Sequence, residues 1–536
     1  MLGRPAGAGT RLASGGGREE DGPIAIDTLI VGGGAAGCVL AHRLSEDLAR
    51  RVTLIEAGND YPTLAAAPDL VRLAFGGVSV LDQLSELDWE YSAKGSETSP
   101  RIEIPRGRVM GGSGSINGTI FLRGVPEDFA RWAEMAGPDW GWEPMLVAYR
   151  AIESDPQGKD EHHGRSGPLP IHRWPRITWV ETQERFFQAC VEAGYPVAPD
   201  ANAPDAYGVA AMPLNQSAGW RMNPAAAFLT AAVRARPNLE ILSRTRAVRI
   251  EIADGRATGV VVRTDTGTET IRAGEIILAS GAVGSPHLLL LSGVGPADEL
   301  RRLGIPVASD VPGVGEGVRD HPKTWISWHL KNSADPNLTP AVPGLQVSAR
   351  YTATGSHLRG DMMLYPNSVI PGPTPGSRAF RIEAVNNLQL SQGRMWISSA
   401  DPDVKPEIDL RLLSEARDAD RLAESIRCSL ALAETPALRE ILGAAYLPKP
   451  ADLADDRALL GYVHRSVMTG QHISSSARLG FDSDTLAVVD PACRVRGVQG
   501  LRVIDSAIMP DSIRANTHAT TLALAWQMGG RILAGA

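Results

Sequence analysis

Several things are scarce in this 536-residue sequence, and each scarcity excludes something. Cysteine comes first: Cys38, Cys190, Cys428 and Cys493 are far apart and form no CxxC pair. That argues against a disulfide framework and a thiolate zinc site, and leaves four inert core thiols. No apolar run approaches the roughly 18 to 20 residues that span a bilayer. The opening MLGRPAGAGTRLASGGGREEDGP has no hydrophobic segment of the secretory kind. These absences predict a cytoplasmic protein without a membrane span, and residues 1–23 read as a disordered leader. Charge of one sign is lacking too: 53 basic residues against 61 acidic ones give a net charge of -8, mixed along the chain, so no nucleic-acid partner is expected. The eleven histidines are scattered. The one adjacent pair, His162-His163, sits among turn residues where neighbouring side chains diverge, and no metal is expected there.

What is present is a hydrophobic fraction of 43%, enough for a large core in a chain too long for one small domain. From Asp27 the chain reads DTLIVGGGAAGCVLAHRLSEDLARRVTLIEAG. An apolar strand meets Gly32, Gly34 and Gly37, a helical stretch runs to about Leu48, and a second apolar strand ends on Glu56. Such a βαβ unit supplies a tight turn, close backbone approach to a pyrophosphate, close helix–strand packing, and an acid for ribose hydroxyls. It predicts dinucleotide binding. FAD and NAD are not separated by it, while the acidic Glu56 disfavours the 2′-phosphate of NADP.

Two further glycine-rich stretches follow, RGRVMGGSGSINGTIFLRG at 106–124 and GAVGSPHLLLLSGVG at 281–295, with VDPACRVRGVQGLRVIDSAIMP near the end. Consecutive small residues in the first allow backbone amides to line an anionic or electron-rich group. Together these stretches resemble the glucose-methanol-choline (GMC) oxidoreductases, FAD-dependent enzymes that oxidise alcohols, over about residues 24–534. The resemblance implies an α+β fold: a Rossmann-like α/β domain for FAD, built from discontinuous segments 24–150, 210–320 and 460–536, and a substrate domain of antiparallel sheet plus helices from 151–209 and 321–459. It places Gly111, Gly112, Ser113 and Asn117 along the flavin and its pyrophosphate, Val248 near the adenine, and Asp505, Ser506 and Thr517 at the cofactor. Ile116 stands where some members attach the flavin to a histidine, which implies non-covalent FAD. His321, between Asp320 and Pro322, reads as a structural histidine in a tied-down turn.

The segment GQHISSSARLG holds His472 in an irregular loop, and MPDSIRANTHATTLALAWQ holds Asn516, six residues after Pro510 and just before a helix over 519–534. By resemblance these are the catalytic pair, with His518 a competitor for the second place. Oxidising an alcohol removes a proton from oxygen and a hydride from carbon, so a base is needed near the O–H and flavin N5 near the C–H. A neutral histidine can take the proton, and an amide can donate to the oxygen as charge builds there. The following helix N-terminus would favour negative charge on the reduced flavin. The loop departs from the family pattern H-x-x-G-T-x-x-M-G at Ser475, Ser476 and Leu479. If the glycine position needs positive φ, either Ser475 carries strain or the loop takes another path. Gln471 is a candidate substrate contact and Arg478 a structural one. The implied reaction is oxidation of a primary, aromatic or furanic alcohol to the aldehyde, with oxygen or another acceptor reoxidising the flavin. A hydroxynitrile lyase is the alternative, and the oligomeric state is left open.

Overall fold

The computed structural model describes residues 26–73, 86–158, 161–331, 344–373 and 378–536; the leader expected at 1–23 lies outside them. Thr28–Val31 and Val52–Ile55 are fully buried strands, joined by the helix Ala35–Leu44. Continuous apolar runs suit parallel strands with both faces covered. The sheet is parallel throughout, in the order Leu239–Leu242, Val52–Ile55, Thr28–Val31, Glu275–Leu278, Leu501–Val503. The helix stops at Leu44, short of the expected Leu48, where the Ser45 hydroxyl donates to the Ala41 carbonyl at 2.6 Å. Gly37 has one clear reason: a Cβ there would lie 1.9 Å from the Gly32 carbonyl oxygen. The last helix, Thr517–Leu533, packs against Ala35–Leu44 and so returns the chain's end to its beginning.

The run LEILSRTRAVRIEIADGRATGVVV divides its strands between two sheets. Leu239–Leu242 becomes the edge of the parallel sheet, while Arg246–Ala253, Arg256–Thr264 and Gly267–Arg272 form an antiparallel meander. The second layer is an antiparallel sheet in the order Leu442–Leu447, Pro322–Leu330, Arg378–Asn386, Met362–Pro371, Val347–Tyr351, Gly208–Ala211. The helices Glu181–Glu192 and Ala416–Ala433 pack on it. Thr435-Pro436 divides the helical stretch after Glu415 into Ala416–Ala433 and Pro436–Ile441.

Residues 460–469, expected with the cofactor domain, belong instead with the antiparallel layer. The helix Asp456–Ser466 packs on Ala416–Ala433 and Pro322–Leu330, and Met468–Thr469 pairs with the start of Pro322–Leu330. That pairing sets Pro322 opposite Thr469 and Lys323 opposite Met468. Among the described residues no helix is long and apolar enough to cross a membrane.

One buried cluster gathers charge away from both sheets. Glu153, Asp155 and His163 bring potential metal-ligand atoms within 4.8 Å of one another. The cluster already holds its own cations. His163 Nδ1 lies 3.1 Å from Asp155 and 3.2 Å from Glu153, its Nε2 lies 2.6 Å from Asp200, Arg173 pairs with Asp155 and Asp200, and Arg123 pairs with Glu153. Three carboxylates thus face three cations. Burial alone would lower the His163 pKa, but hydrogen bonds to Asp155, Asp200 and Glu153 raise it to about 11. A raised histidine pKa stabilises fully below the ordinary value of 6.5 and loses that contribution as pH climbs through the folded value. Replacing His163 with Gln should therefore lower thermal stability at neutral pH, and the deficit should narrow between about pH 6.5 and 11 in melts taken across that range. A deficit independent of pH would show that His163 acts by packing alone.

Candidate active site

A cavity of about 1040 Å³ runs from the first strand to the antiparallel sheet. That is the upper end of ligand-pocket sizes, room for an extended cofactor together with a small substrate. Gly32, Gly34, Glu56, Gly112, Ser113, Asn117, Asp505, Ser506 and Thr517 all line it. Gly32 takes φ +108° and Gly112 φ +55°, and a Cβ on Gly112 would fall 2.7 Å from the Gly34 Cα, so the two glycine loops touch through bare backbone. Gly281, also on the wall, has φ +80° and open space where a Cβ would stand. Such a cradle of bare backbone fits a bound dinucleotide.

The acids of the cradle are held by backbone donors. Glu56 accepts N–H bonds from Gly33 at 2.9 Å and Gly58 at 2.8 Å, while burial raises its pKa to about 7. Asp505 accepts from the Gly281 N–H at 2.8 Å, the Ser285 hydroxyl at 2.6 Å and the Ala507 N–H at 2.8 Å, and burial likewise raises its pKa. Asn117 is clamped by Arg221 through both its carbonyl and its side-chain oxygen.

Three expected residues do not reach the wall. Gly37 packs helix on strand, Gly111 donates its N–H to the Gly33 carbonyl at 2.7 Å, and Val248 sits inside a strand. Ala247 and Thr245 line the cavity where Val248 was expected. Ala247 pairs with Val262 and Arg249 with Val261, so Val248 is the extra residue of a bulge.

His472 and Asn516 meet on the wall of this cavity, with His472 Nε2 2.9 Å from Asn516 Nδ2. Each is fixed from behind. The His472 backbone N–H donates to Asp320 Oδ1 at 2.9 Å, and the Thr469 hydroxyl donates to the other oxygen of the same carboxylate. His472 Nδ1 lies 2.9 Å from Nδ1 of His321. Asn516 Oδ1 accepts from the Tyr365 hydroxyl at 3.1 Å, and the preceding Arg514 is anchored by its N–H and guanidinium on Asp128 at 2.9 and 2.5 Å. His518 lines the cavity as well, with its ring next to Gly114 and its Nε2 buried.

Burial lowers the His472 pKa well below its ordinary value, and the neighbouring His321 ring and the positive charges of Lys323 and Arg106 push the same way. The histidine is thus neutral at physiological pH and its ring can accept a proton. Lys323 and Arg106 both line the cavity. Lys323 pairs with Glu383 at 3.0 Å, and Arg106 donates to the neutral oxygens of Pro105 and Gln471, each at 2.7 Å.

The histidine loop keeps the conformation that favours glycine. Ser475 has φ +66° and is buried, with its N–H on the Ser506 carbonyl at 3.2 Å, so strain is carried rather than avoided. Gln471 shares the left-handed conformation at φ +67° and lines the cavity, while Arg478 pairs with Asp484 at 2.9 Å. Sequence reasoning missed Tyr365 and Lys323, and read Asp320-His321 only as a turn. The one available signal was that this turn ends in Pro322, the first residue of a strand.

Comparison with known proteins gives a consistent result over nearly the whole chain. The family description "GMC oxidoreductase" matches residues 26–323 through its N-terminal model and 389–525 through its C-terminal one. The chain is 33% identical to a 5-(hydroxymethyl)furfural oxidase of Methylovorus sp., covering 95% of this chain and 98% of the relative. It is 31% identical to an oxygen-dependent choline dehydrogenase of Staphylococcus saprophyticus, covering 93% of each. The crystal structure of pyridoxine 4-oxidase from Mesorbium loti superposes with a TM-score of 0.87 at 30% identity, over 95% of this chain and all of that one. A fungal aryl-alcohol oxidase at 20% identity and a TM-score of 0.80, over 96% and 99% of the two chains, shares the fold. The chain belongs to the GMC oxidoreductase family, FAD-dependent enzymes that act on CH–OH donors.

Proposed function

We propose that this enzyme oxidises a primary alcohol, aromatic or furanic, to the aldehyde, using non-covalently bound FAD that oxygen or another acceptor reoxidises. The observation that carries the reading is the His472–Asn516 pair, 2.9 Å apart on the wall of the same cavity as the glycine cradle. Support comes from the furfural alcohol oxidase and the pyridoxine oxidase among the similar proteins, and from Ile116 on the wall where a covalent anchor would stand. Their activities lend no support to the hydroxynitrile lyase alternative. In this reading residues 24–150, 210–320 and 470–536 hold the cofactor, and the antiparallel layer shapes the alcohol pocket. A cytoplasmic location is part of the same proposal.

Bound FAD supplies the two-electron acceptor for the carbon-bound hydrogen. The protein's own groups act on the oxygen. Neutral His472 takes the hydroxyl proton, and the O–H electrons stay on oxygen. Asn516 Nδ2 donates to that oxygen as negative charge builds, a contribution of about 3 kcal/mol for a preorganised donor. Glu56, Asp505 and the glycine loops hold the cofactor, and the N-terminus of Thr517–Leu533 on the cavity wall favours negative charge nearby. Lys323 is paired with Glu383, and the Arg106 charge beside the histidine, bonded to neutral oxygens, disfavours a cationic alcohol.

Anaerobic mixing with benzyl alcohol or 5-(hydroxymethyl)furfural should bleach the flavin, and His472→Ala should slow bleaching by at least about 100-fold. Reduction at the wild-type rate would remove His472 from the role. The base form of His472 exists above its pKa, and that pKa lies below 6.5. The reduction rate should therefore be level above this pH and fall only in more acidic buffer; a profile that keeps rising through neutrality contradicts the assignment. In a panel of alcohols run with oxygen uptake and dye reduction in parallel, choline should reduce the flavin at least about tenfold more slowly than benzyl alcohol. Equal rates would show that the Arg106 charge does not select the alcohol.

A further inference from the structure

The hydrogen bonds around His472 form a single file with a direction. At one end the Tyr365 hydroxyl meets Asn516 Oδ1 at 3.1 Å; Asn516 Nδ2 meets His472 Nε2 at 2.9 Å; His472 Nδ1 meets His321 Nδ1 at 2.9 Å. The Tyr365 hydroxyl occupies Asn516 Oδ1, so the nitrogen of the same amide faces His472, and an amide nitrogen can only donate. His472 Nε2 therefore carries a lone pair, facing Asn516 and the cavity. Burial lowers the pKa of both rings, that of His321 to about 4, so each neutral ring carries one N–H. With Nε2 bare, the hydrogen of His472 is on Nδ1, and it is the one hydrogen between the two facing ring nitrogens. His321 then accepts on Nδ1 and carries its own hydrogen on Nε2.

We propose that His321 is a positioning residue: accepting from His472 Nδ1, it holds His472 in the tautomer whose Nε2 lone pair faces the cavity. The inference rests on the reading of His472 as the base. It assigns a function to a histidine that does not line the cavity. The neighbouring framework keeps the file in place. Asp128 and Arg350 pin Arg514, two residues before Asn516, through its N–H at 2.9 Å and its carbonyl at 3.1 Å. Pro322 and Thr469, next to or near the two histidines, are strand partners. A His472 ring in the other tautomer would set Nε2–H against the Asn516 N–H and could not take a proton from the alcohol.

The test is nitrogen NMR on the holoenzyme labelled with 15N-histidine, with the His472 signals identified by their loss in His472→Gln. The wild type should show His472 with Nδ1 protonated and Nε2 bare. His321→Leu, which removes the acceptor, should lose that pattern and slow flavin reduction at least about tenfold with alcohol affinity unchanged. His321→Asn, whose carboxamide oxygen can stand where Nδ1 stood, should restore both. A wild-type His472 protonated on Nε2, or a His321→Leu enzyme with the tautomer and rate intact, overturns the proposal. If His321→Leu fails to fold with FAD, the wild-type spectrum and His321→Asn still decide it. Failure of the base assignment is a separate event, seen as undiminished reduction by His472→Ala whatever the tautomer.

Discussion

One buried carboxylate holds the reactive end of this molecule together. Asp320 accepts the backbone N–H of His472 on one oxygen and the Thr469 hydroxyl on the other, at the junction where Met468–Thr469 pairs with the start of Pro322–Leu330. Burial raises its pKa, and the hydroxyl and N–H donors work against that rise by favouring the charged form. A carboxylate so placed converts a strand pairing into a fixed position for an imidazole. The parallel sheet provides the cofactor cradle and the antiparallel sheet the alcohol side, and the histidine loop crosses between them.

The price of that placement is local strain. Gln471 and Ser475 flank the histidine in left-handed backbone, a conformation that side chains with a Cβ disfavour by about 1–2 kcal/mol each. The strain persists because both ends are tied: Gln471 N–H to the Thr469 hydroxyl at 2.8 Å, and the backbone after Ser475 to the 506–508 segment through Ala477 and Leu479. A loop bound along its length cannot relax without releasing His472. On the partner side, Asp128 fixes Arg514 two residues before Asn516. His472 and Asn516 are thus both supported by buried carboxylates from distant parts of the chain, which places them with little remaining freedom.

Much of the cofactor side was legible because its constraints are local. Gly32, Gly34 and Gly37 follow a strand and precede a helix, and a Cβ on Gly32 or Gly37 would meet backbone at 2.7 or 1.9 Å. Val248, placed by resemblance, is the extra residue of a bulge at Ala247/Arg249, and Thr245 and Ala247 line the cavity beside it. Ser475 was legible as a question, strain or detour, and the fold answers with strain. The alcohol side was read poorly. Tyr365 and Lys323 reach the cavity only because strands distant in sequence lie side by side, as when Lys323 faces Val385 across the sheet. Long-range pairing of that kind leaves no mark in a local window. His321 was visible as a tied-down turn, but its relation to His472, 151 residues away, belongs to the fold alone.

The central claim is that His472 and Asn516 act together on one oxygen atom, and the most direct measurement is a crystal structure of the FAD-bound enzyme with an unreactive analogue of an aryl alcohol. The account predicts the analogue's oxygen within hydrogen-bond reach, about 2.6–3.2 Å, of both His472 Nε2 and Asn516 Nδ2. An oxygen bound instead at Lys323 or Arg106, with the two side chains left bonded only to each other, would contradict it.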